Sequence, residues 1–262
     1  RLLRRRHQYR GYIHLKVLPG ASDAAVTEAV GIANAVSVNI EVPGQKHFEK
    51  LSARKNFTED IVRPLKLISR LTAKGNPRER VKQTTQFIVG AADETDAEIV
   101  KYTFGLYERL HLERVYFSAY QQGLGASDLP GENRGPESAR GQTPDPGPSP
   151  GNDLLMREHR LYQVDFLLRK YGFQGDEIPF DPSGQLSLEC DPKQTWADRH
   201  PEIFPVPVNS APRATLLRVP GLGPITVRRI LDRRRKGRLQ GLSEVGLKGI
   251  RLALAARYVK MN

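Results

Sequence analysis

The sequence predicts an α/β fold, an incomplete parallel βα barrel followed by a small all-helical domain. Short β-like runs alternate with helix-like stretches between residues 11 and 120, which is typical of parallel strands joined by right-handed crossovers. A Gly/Pro-rich stretch then interrupts this alternation, and helical periodicity dominates the remainder. The predicted segments are a partial barrel (1–120), a linker (121–153), a helical or irregular extension (154–208) and a small helical domain (209–262).

The individual elements of the partial barrel follow from local patterns. Thr95 and Glu98 have the spacing of a capping box, which predicts the start of a helix over 96–110. The other predicted helical stretches are Ala24–Ala33 and Phe48–Leu71, the second with turn signals inside it. The predicted strands are Tyr12–Leu18, Val36–Val42, Thr84–Val89 and Arg114–Tyr120.

Three of these strands alternate polar and apolar residues, which predicts one polar face on the sheet. A parallel sheet covered on both sides would instead consist of nearly continuous apolar runs. A barrel whose lumen holds a polar ligand explains the pattern, and a half-solvated antiparallel sheet is the alternative. The polar face would contain Tyr12, His14, Lys16, Ser37, Asn39, Glu41, Tyr116, Ser118 and Tyr120.

Residues 121–153 contain 13 Gly or Pro in 33 positions and no aromatic residue, so they predict a disordered linker. Helical periodicity resumes over Leu154–Tyr171. Asp191 followed by Pro192 predicts another helix start, because Asp is a good cap and Pro suits the first turn. Near the end of the chain, Ser243–Val259 predicts one further helix that packs on the segment before it.

The net charge of +12 is concentrated at the two ends of the chain. Residues 213–262 contain 13 Lys or Arg and two acidic residues (+11), and the first ten residues add +5, which leaves 12 − 11 − 5 = −4 for residues 11–212. A basic segment of this kind favours a polyanion partner, with nucleic acid ahead of a membrane surface. A solvated cationic surface is the alternative.

The chain has one cysteine, Cys190, which excludes an internal disulfide and a cysteine-rich metal site formed by this chain alone. A single thiol fits a reducing cytoplasm, so we expect a cytoplasmic protein. No stretch is apolar enough for a transmembrane helix. The histidines are dispersed and predict no metal site, and the sequence contains no Walker-type or dinucleotide-type phosphate loop.

The most specific motif is Val219-Pro220-Gly221-Leu222-Gly223-Pro224-Ile225. Pro220 ends one short helix, Pro224 suits the first turn of the next, and the two glycines allow a tight turn between them. Such a turn presents backbone N–H groups at a helix N-terminus, which is a site for anions. Arg228, Arg229 and the run from Arg233 to Lys236 follow on the second helix.

This segment resembles the helix-hairpin-helix motif, in which Pro-Gly-apolar-Gly precedes a helix; the family usually has a small residue where Val227 stands. The motif binds DNA phosphates without distinguishing bases, so the resemblance implies salt-sensitive, sequence-independent binding to duplex DNA. A turn with only a structural role is the alternative. The positions expected to contact DNA are Pro220, Gly221, Leu222, Gly223, Ile225, Arg228, Arg229, Arg233, Arg234 and Lys236.

Further sequence segments resemble one known protein family, and they are spread along most of the chain. They are Arg10–Gly20, Ser37–Pro43, Gln83–Ala91, Arg157–Gln163, Asp191–Lys193 and Arg199–Glu202. Together they resemble the DNA modification/repair radical SAM proteins, which join a radical SAM part-barrel to a C-terminal helix-hairpin-helix. The resemblance implies a uracil-DNA glycosylase-related partner, although these residues indicate no interface for one.

The resemblance also implies cofactors for a complete protein of this family, S-adenosylmethionine and a [4Fe–4S] cluster. The segment Ile88–Asp93 is similar to the strand end that contacts the adenine, with Asp93 or Glu94 as the usual acid. In the second predicted strand, Ser37, Asn39 and Glu41 are similar to the positions that contribute ribose contacts in this family. The implied cofactor-binding residues are Asn39, Glu41, Ile88, Gly90, Ala91 and Asp93.

The CxxxCxxC segment that holds the cluster is absent, so we expect no cofactor and no reductive cleavage of S-adenosylmethionine by this chain alone. Because position 1 is Arg rather than Met, we expect the C-terminal part of such an enzyme. A non-catalytic DNA-binding protein with a degenerate barrel is the first alternative, and an RNA-binding protein is the second. An upstream CxxxCxxC would favour the enzyme.

Overall fold

The computed structural model is an α/β protein built around a parallel sheet, as the sequence predicts. The structure describes residues 1–123, 125, 127–133 and 150–261, with only the backbone of 150–152. The chain divides into two compact units, Arg1–Tyr162 and Gln163–Asn262. Most of the predicted linker lies outside the described residues.

The first unit contains a four-stranded sheet in which every neighbouring pair is parallel and the strands follow chain order. The strands are β1 (His14–Lys16), β2 (Ala35–Ser37), β3 (Lys82–Val89) and β4 (Arg114–Ala119). The helices are α1 (Leu2–Arg5), α2 (Asp23–Ile32), α3 (Gln45–Phe48), α4 (Arg63–Leu71), α5 (Asp96–Leu110) and α6 (Pro150–Phe166), and a π-helical turn, Phe57–Val62, precedes α4.

Three predicted strands extend past the observed ends, to residue 18 for β1, to residue 42 for β2 and to residue 120 for β4. β2 ends at Ser37 because the amides of Ile40 and Glu41 both donate to the carbonyl of Gln86, so two residues of one chain segment face one residue of β3. Glu41 has a left-handed φ of 63° and pairs with Phe87 only through an isolated bridge. A bulge-like step of this kind bends the chain and redirects the side chains that follow it.

The core of the first unit lies between the sheet and the helices α2 and α4, which pack on each other. Val26 and Val30 of α2, and Leu65 and Ile68 of α4, are at most 1% exposed. Complete burial of each such side chain contributes roughly 1.5–3 kcal/mol. The predicted capping box of α5 is confirmed: Thr95 accepts from the Glu98 amide and Glu98 accepts from the Thr95 amide.

The second unit is mainly helical. After α6 come a π-helical turn (Leu167–Tyr171), α7 (Pro192–Asp198), α8 (Arg213–Arg218), α9 (Pro224–Lys236) and α10 (Gly249–Ala256). The predicted cap of α7 is confirmed, since the Asp191 carboxylate accepts from the amides of Lys193 and Gln194. No helix among the described residues is long and apolar enough to cross a membrane.

Two expectations for the second unit are wrong. The unit is not all-helical, because β5 (Val206–Pro207) and β6 (Val259–Lys260) form a short parallel pair. The predicted helix over 243–259 is instead a 3₁₀ turn (Leu242–Val245) and α10, separated at Gly246, which has a left-handed φ of 80°. Ile250, which lies within the predicted helix, is 88% exposed.

Candidate nucleic-acid interface

The turn between α8 and α9 is a tight hairpin over residues 219–223. The amide of Val219 donates to the carbonyl of Leu216, and the amide of Leu222 donates back to the carbonyl of Val219 at 3.1 Å. The side chains of Val219 and Leu222 are at most 1% exposed. The apolar residue between the two glycines therefore anchors the turn in the core of the second unit.

Gly221 is required by both conformation and packing. Its φ is +80°, a region that side-chain-bearing residues rarely adopt. A Cβ at this position would lie 2.7 Å from the carbonyl oxygen of Arg251 and 3.2 Å from the Cβ of Ala255. The turn therefore packs directly against the backbone of α10.

The backbone amides of the hairpin have few partners. Within the described part of the chain, the amides of Gly221, Gly223 and Ile225 make no hydrogen bond, whereas Val227 donates to the carbonyl of Gly223 and begins the first turn of α9. Unpaired donors at a helix N-terminus form an environment that favours an anion. The Ile225 side chain is 62% exposed, so it projects from the surface beside these donors.

The cations of α9 differ in their partners. Arg228 and Lys236 are exposed and have no ion-pair partner among the described residues. Arg234 is half-buried and donates to the carbonyls of Ala211 (2.7 Å) and Val208 (3.3 Å), so it holds α9 in place.

Two further cations of α9 have partners near the 3₁₀ turn. Arg233 forms an ion pair with Glu244 at 2.9 Å, and Arg229 lies 3.4 Å from the carbonyl of Val245. A shallow surface cleft of about 380 Å³ borders the hairpin side of α9. It is lined by Arg213, Pro224, Ile225, Arg228, Leu231, Asp232 and Arg235.

Three residues that the sequence analysis did not select lie beside the hairpin. The ammonium of Lys193 donates to the carbonyl of Leu222 at 2.6 Å and sits 4.4 Å from the centre of the Tyr171 ring. A Cβ on Gly223 would lie 3.3 Å from the Tyr171 hydroxyl and 3.7 Å from a guanidinium nitrogen of Arg251. No sequence spacing relates these residues to the hairpin, because they come from different elements.

The pKa of Lys193 is lowered to about 7, chiefly by burial; Asp191 opposes this shift, and the nearby cations Arg218 and Arg251 add to it. Burial also raises the pKa of the Tyr171 hydroxyl. The carboxylate of Glu177 pairs with Arg218 at 2.8 Å, so part of that cationic charge is compensated.

Five of the nine residues predicted for the polar face line a cavity of about 350 Å³, whereas Tyr12, Glu41, Ser118 and Tyr120 are not part of its lining. In it, a ring nitrogen of His14 (Nε2) lies 3.0 Å from the Ser37 hydroxyl. The neighbouring strand β3 contributes further polar residues to the lining. The lining residues are His14, Lys16, Ser37, Asn39, Thr84, Thr85, Gln86 and Tyr116.

Glu41 follows β2 at the bulge-like step. One of its carboxylate oxygens, Oε2, is buried and has no hydrogen-bond partner. Burial raises the pKa of this carboxyl, and a hydrogen bond with Asn39 and the charges of Lys16 and Lys55 act in the opposite direction. Of the residues that the family resemblance selected, Asn39 and Glu41 are therefore brought together beside the cavity.

Residues 90–94, which follow β3, form hydrogen bonds and an ion pair through the acidic side chains of Asp93 and Glu94. Glu94 is 2% exposed and accepts hydrogen bonds from the amides of Gly90 (2.6 Å) and Ala92 (3.0 Å). Asp93 is exposed and binds the ammonium of Lys50 at 2.6 Å, and this contact, with a further one to His47, lowers its pKa to about 2. The neighbouring Ala91 is buried and Ile88 half-buried.

No protein-family model matches this chain, and neither does any curated protein or solved structure. Among the described residues, no group of three or more His, Cys, Asp or Glu side chains is placed to hold a metal ion. Cys190 is the single cysteine of the chain and is half-buried, so the residues present do not fit the thiolate ligands of a [4Fe–4S] cluster.

Proposed function

We propose that this protein binds duplex DNA through its phosphates, with the hairpin at 219–223 acting as a helix-hairpin-helix. The observation that supports this proposal best is that the unpaired amides of Gly221, Gly223 and Ile225 lie at the start of α9. The same helix has two exposed cations without an ion-pair partner among the described residues, Arg228 near its start and Lys236 at its last residue. Backbone donors and point charges recognise phosphate rather than bases, so binding is sequence-independent.

The charge distribution favours the same function. Residues 213–262 have a formal charge of +11, and they include both the hairpin and the helix behind it. The half-buried Arg234 and the paired Arg233 stabilise the unit, whereas Arg228 and Lys236 remain available to a ligand. Cations of this kind release counterions from DNA, which makes the affinity fall steeply with salt.

The wider proposal is a role as the DNA-binding portion of a radical SAM enzyme of DNA modification or repair. It rests on the sequence resemblance, and the parallel sheet with strands in chain order is compatible with part of a βα barrel. The polar cavity, with Asn39 and Glu41 beside it, offers hydrogen-bonding groups to the ribose of S-adenosylmethionine. With one cysteine, this chain lacks the thiolates that would hold a cluster.

The alternative is a non-catalytic DNA-binding protein in which the first unit is only a scaffold. The two are separated by titrating the chain with S-adenosylmethionine in a calorimeter. Saturable binding that is lost in Asn39→Leu supports the cofactor proposal, and an absence of binding supports the scaffold. The implied partner related to uracil-DNA glycosylase remains a proposal from the resemblance alone.

The DNA-binding proposal is tested with the double variant Arg228→Gln/Lys236→Gln. Removing two phosphate contacts is expected to lower the affinity for a mixed-sequence duplex about tenfold and to reduce the salt dependence of the binding constant by about two units of log–log slope. Fluorescence anisotropy of a labelled duplex at several salt concentrations measures both quantities.

The matched control is Arg5→Gln/Arg6→Gln, which removes the same formal charge from exposed positions at the start of the chain. We expect its affinity to stay within about twofold of wild type. Equal losses in the two double variants would show that only net charge matters. A further variant, Gly223→Leu, places a side chain over the amides at an ordinary φ of −102° and is expected to weaken binding as well.

A further inference from the structure

The peptide group between Leu222 and Gly223 has a buried cation on one side. Lys193, 7% exposed, donates its ammonium proton to the Leu222 carbonyl at 2.6 Å. The N–H of Gly223 belongs to the same planar peptide, and in a trans peptide it points opposite to that carbonyl. A charge-assisted hydrogen bond to the carbonyl therefore fixes the direction of the Gly223 N–H and polarises it into a stronger donor.

Two more polar groups lie next to Gly223. The Tyr171 hydroxyl and an Arg251 guanidinium nitrogen lie 3.3 and 3.7 Å from where a Gly223 Cβ would be, so both groups border this glycine, which is itself buried. Within the described residues, the Tyr171 hydroxyl forms no hydrogen bond and Arg251 has no carboxylate partner. Arg251 is exposed, whereas Tyr171 is half-buried.

We propose that the Gly223 amide, Tyr171 and Arg251 form a phosphate subsite for the DNA backbone, with Lys193 as a positioning residue behind the peptide. This inference rests on the proposed DNA-binding function and adds three residues to it. Arg251 supplies charge to the phosphate, Tyr171 and Gly223 supply hydrogen bonds, and Lys193 does not touch the ligand. The elements that meet here are the π-helical turn 167–171, α7, the hairpin and α10.

The subsite has a consequence for pH dependence. The charged groups that face Lys193 are Arg218 and Arg251, which disfavour its protonated form, and Asp191, which favours it. Since its pKa is about 7, Lys193 is only partly protonated near neutral pH. A phosphate dianion or diester bound in front of the peptide favours the ammonium, so DNA binding takes up protons and weakens as the pH rises.

The direct contacts are tested with Arg251→Gln and Tyr171→Phe in the full chain. We expect Arg251→Gln to lower the affinity for the duplex about tenfold and its log–log salt slope by about one unit, and Tyr171→Phe to lower the affinity about threefold. The matched control is Arg257→Gln, which removes the same charge from the exposed end of the same helix and is expected to change affinity less than twofold.

The positioning role is tested with Lys193→Met and a pH series from 6 to 9. Wild-type affinity is expected to fall about tenfold over this range, and the variant to bind weakly with a flat profile. Calorimetry in buffers of different ionisation enthalpy is expected to show proton uptake by wild type near pH 7.5 that is absent from Lys193→Met. Thermal unfolding of each variant checks that it folds, and the wild-type proton uptake remains decisive if Lys193→Met does not.

The two levels of the proposal fail in different ways. If wild type does not bind the duplex, the proposed function fails, and the subsite fails with it. If wild type binds and Arg228→Gln/Lys236→Gln weakens binding, but Arg251→Gln equals Arg257→Gln, the subsite alone is wrong. If wild type takes up no protons, or Lys193→Met loses affinity equally at every pH, Lys193 has a purely structural role.

Discussion

Position 221 shows how a single residue determines the geometry of the hairpin. Gly221 combines a positive φ with a site at which the α10 backbone leaves no room for a side chain. Gly172 also has a positive φ, of +74°, but a Cβ there would have no neighbour within 4 Å. The pair therefore separates the conformational cost of a substitution from its packing cost.

We expect Gly221→Ala to lower the free energy of unfolding by about 3 kcal/mol, because backbone strain and overpacking add together. Gly172→Ala is expected to cost only about 1 kcal/mol, since it has the strain alone. Urea denaturation followed by the fluorescence of Trp196, the single tryptophan of the chain and 5% exposed, measures both. Equal losses would contradict the close contact with Arg251.

At the scale of elements, α6 is joined to the first unit by a buried ion pair. The guanidinium of Arg157 donates to Asp96, which is completely buried at the start of α5, at 3.0 Å, and to the carbonyl of Glu94 at 3.3 Å. The sequence places these residues 61 positions apart, on either side of the predicted linker. Helical periodicity predicts α6 itself but not this partner.

Replacement of Arg157 by Met is expected to destabilise the first unit by about 1.5–3 kcal/mol, because it removes a charge-assisted hydrogen bond from the completely buried Asp96 carboxylate. Hydrogen exchange of the α5 amides measures the loss. The control is Lys101→Met on the exposed side of α5, for which we expect a change within about 0.5 kcal/mol. Similar exchange in both variants would mean that the pair contributes nothing to the docking of α6.

For the molecule as a whole, Lys193 links stability to pH. The pKa of Lys193 is about 7 in the folded protein, against an ordinary value of 10.5 that applies to the unfolded chain. Between pH 7 and pH 10.5, the unfolded chain therefore binds a proton that the folded chain does not. The free energy of unfolding therefore rises with pH across this window, by at most about 1.4 kcal/mol per pH unit. The direction is opposite to that expected for DNA affinity.

We expect urea denaturation, followed by Trp196 fluorescence without DNA, to give a free energy of unfolding that increases from pH 7 to pH 9 in wild type. Lys193→Met is expected to be more stable than wild type at pH 7, with a smaller increase toward pH 9, since a neutral side chain needs no desolvation of charge. A wild-type stability that stays flat or falls over this range would contradict the lowered pKa of Lys193 in the folded protein.

The sequence alone determined the features that depend on neighbours along the chain. Strand–helix alternation predicted the parallel sheet, and the spacing of Thr95 and Glu98 predicted the capping box. The polar alternation of the strands predicted part of the lining of the cavity. Each depends on backbone periodicity or on hydrogen bonds between residues less than four apart, and these are local properties.

Only the tertiary structure decided which distant groups meet. In the folded chain, β2 ends early because two amides share the carbonyl of Gln86. Arg234 donates to the carbonyls of Val208 and Ala211. Lys193 and Arg251 lie next to the hairpin. These contacts follow from the packing of elements that no periodicity relates. Burial then set the pKa of Lys193, because the cost of desolvating a charge depends on everything that surrounds it.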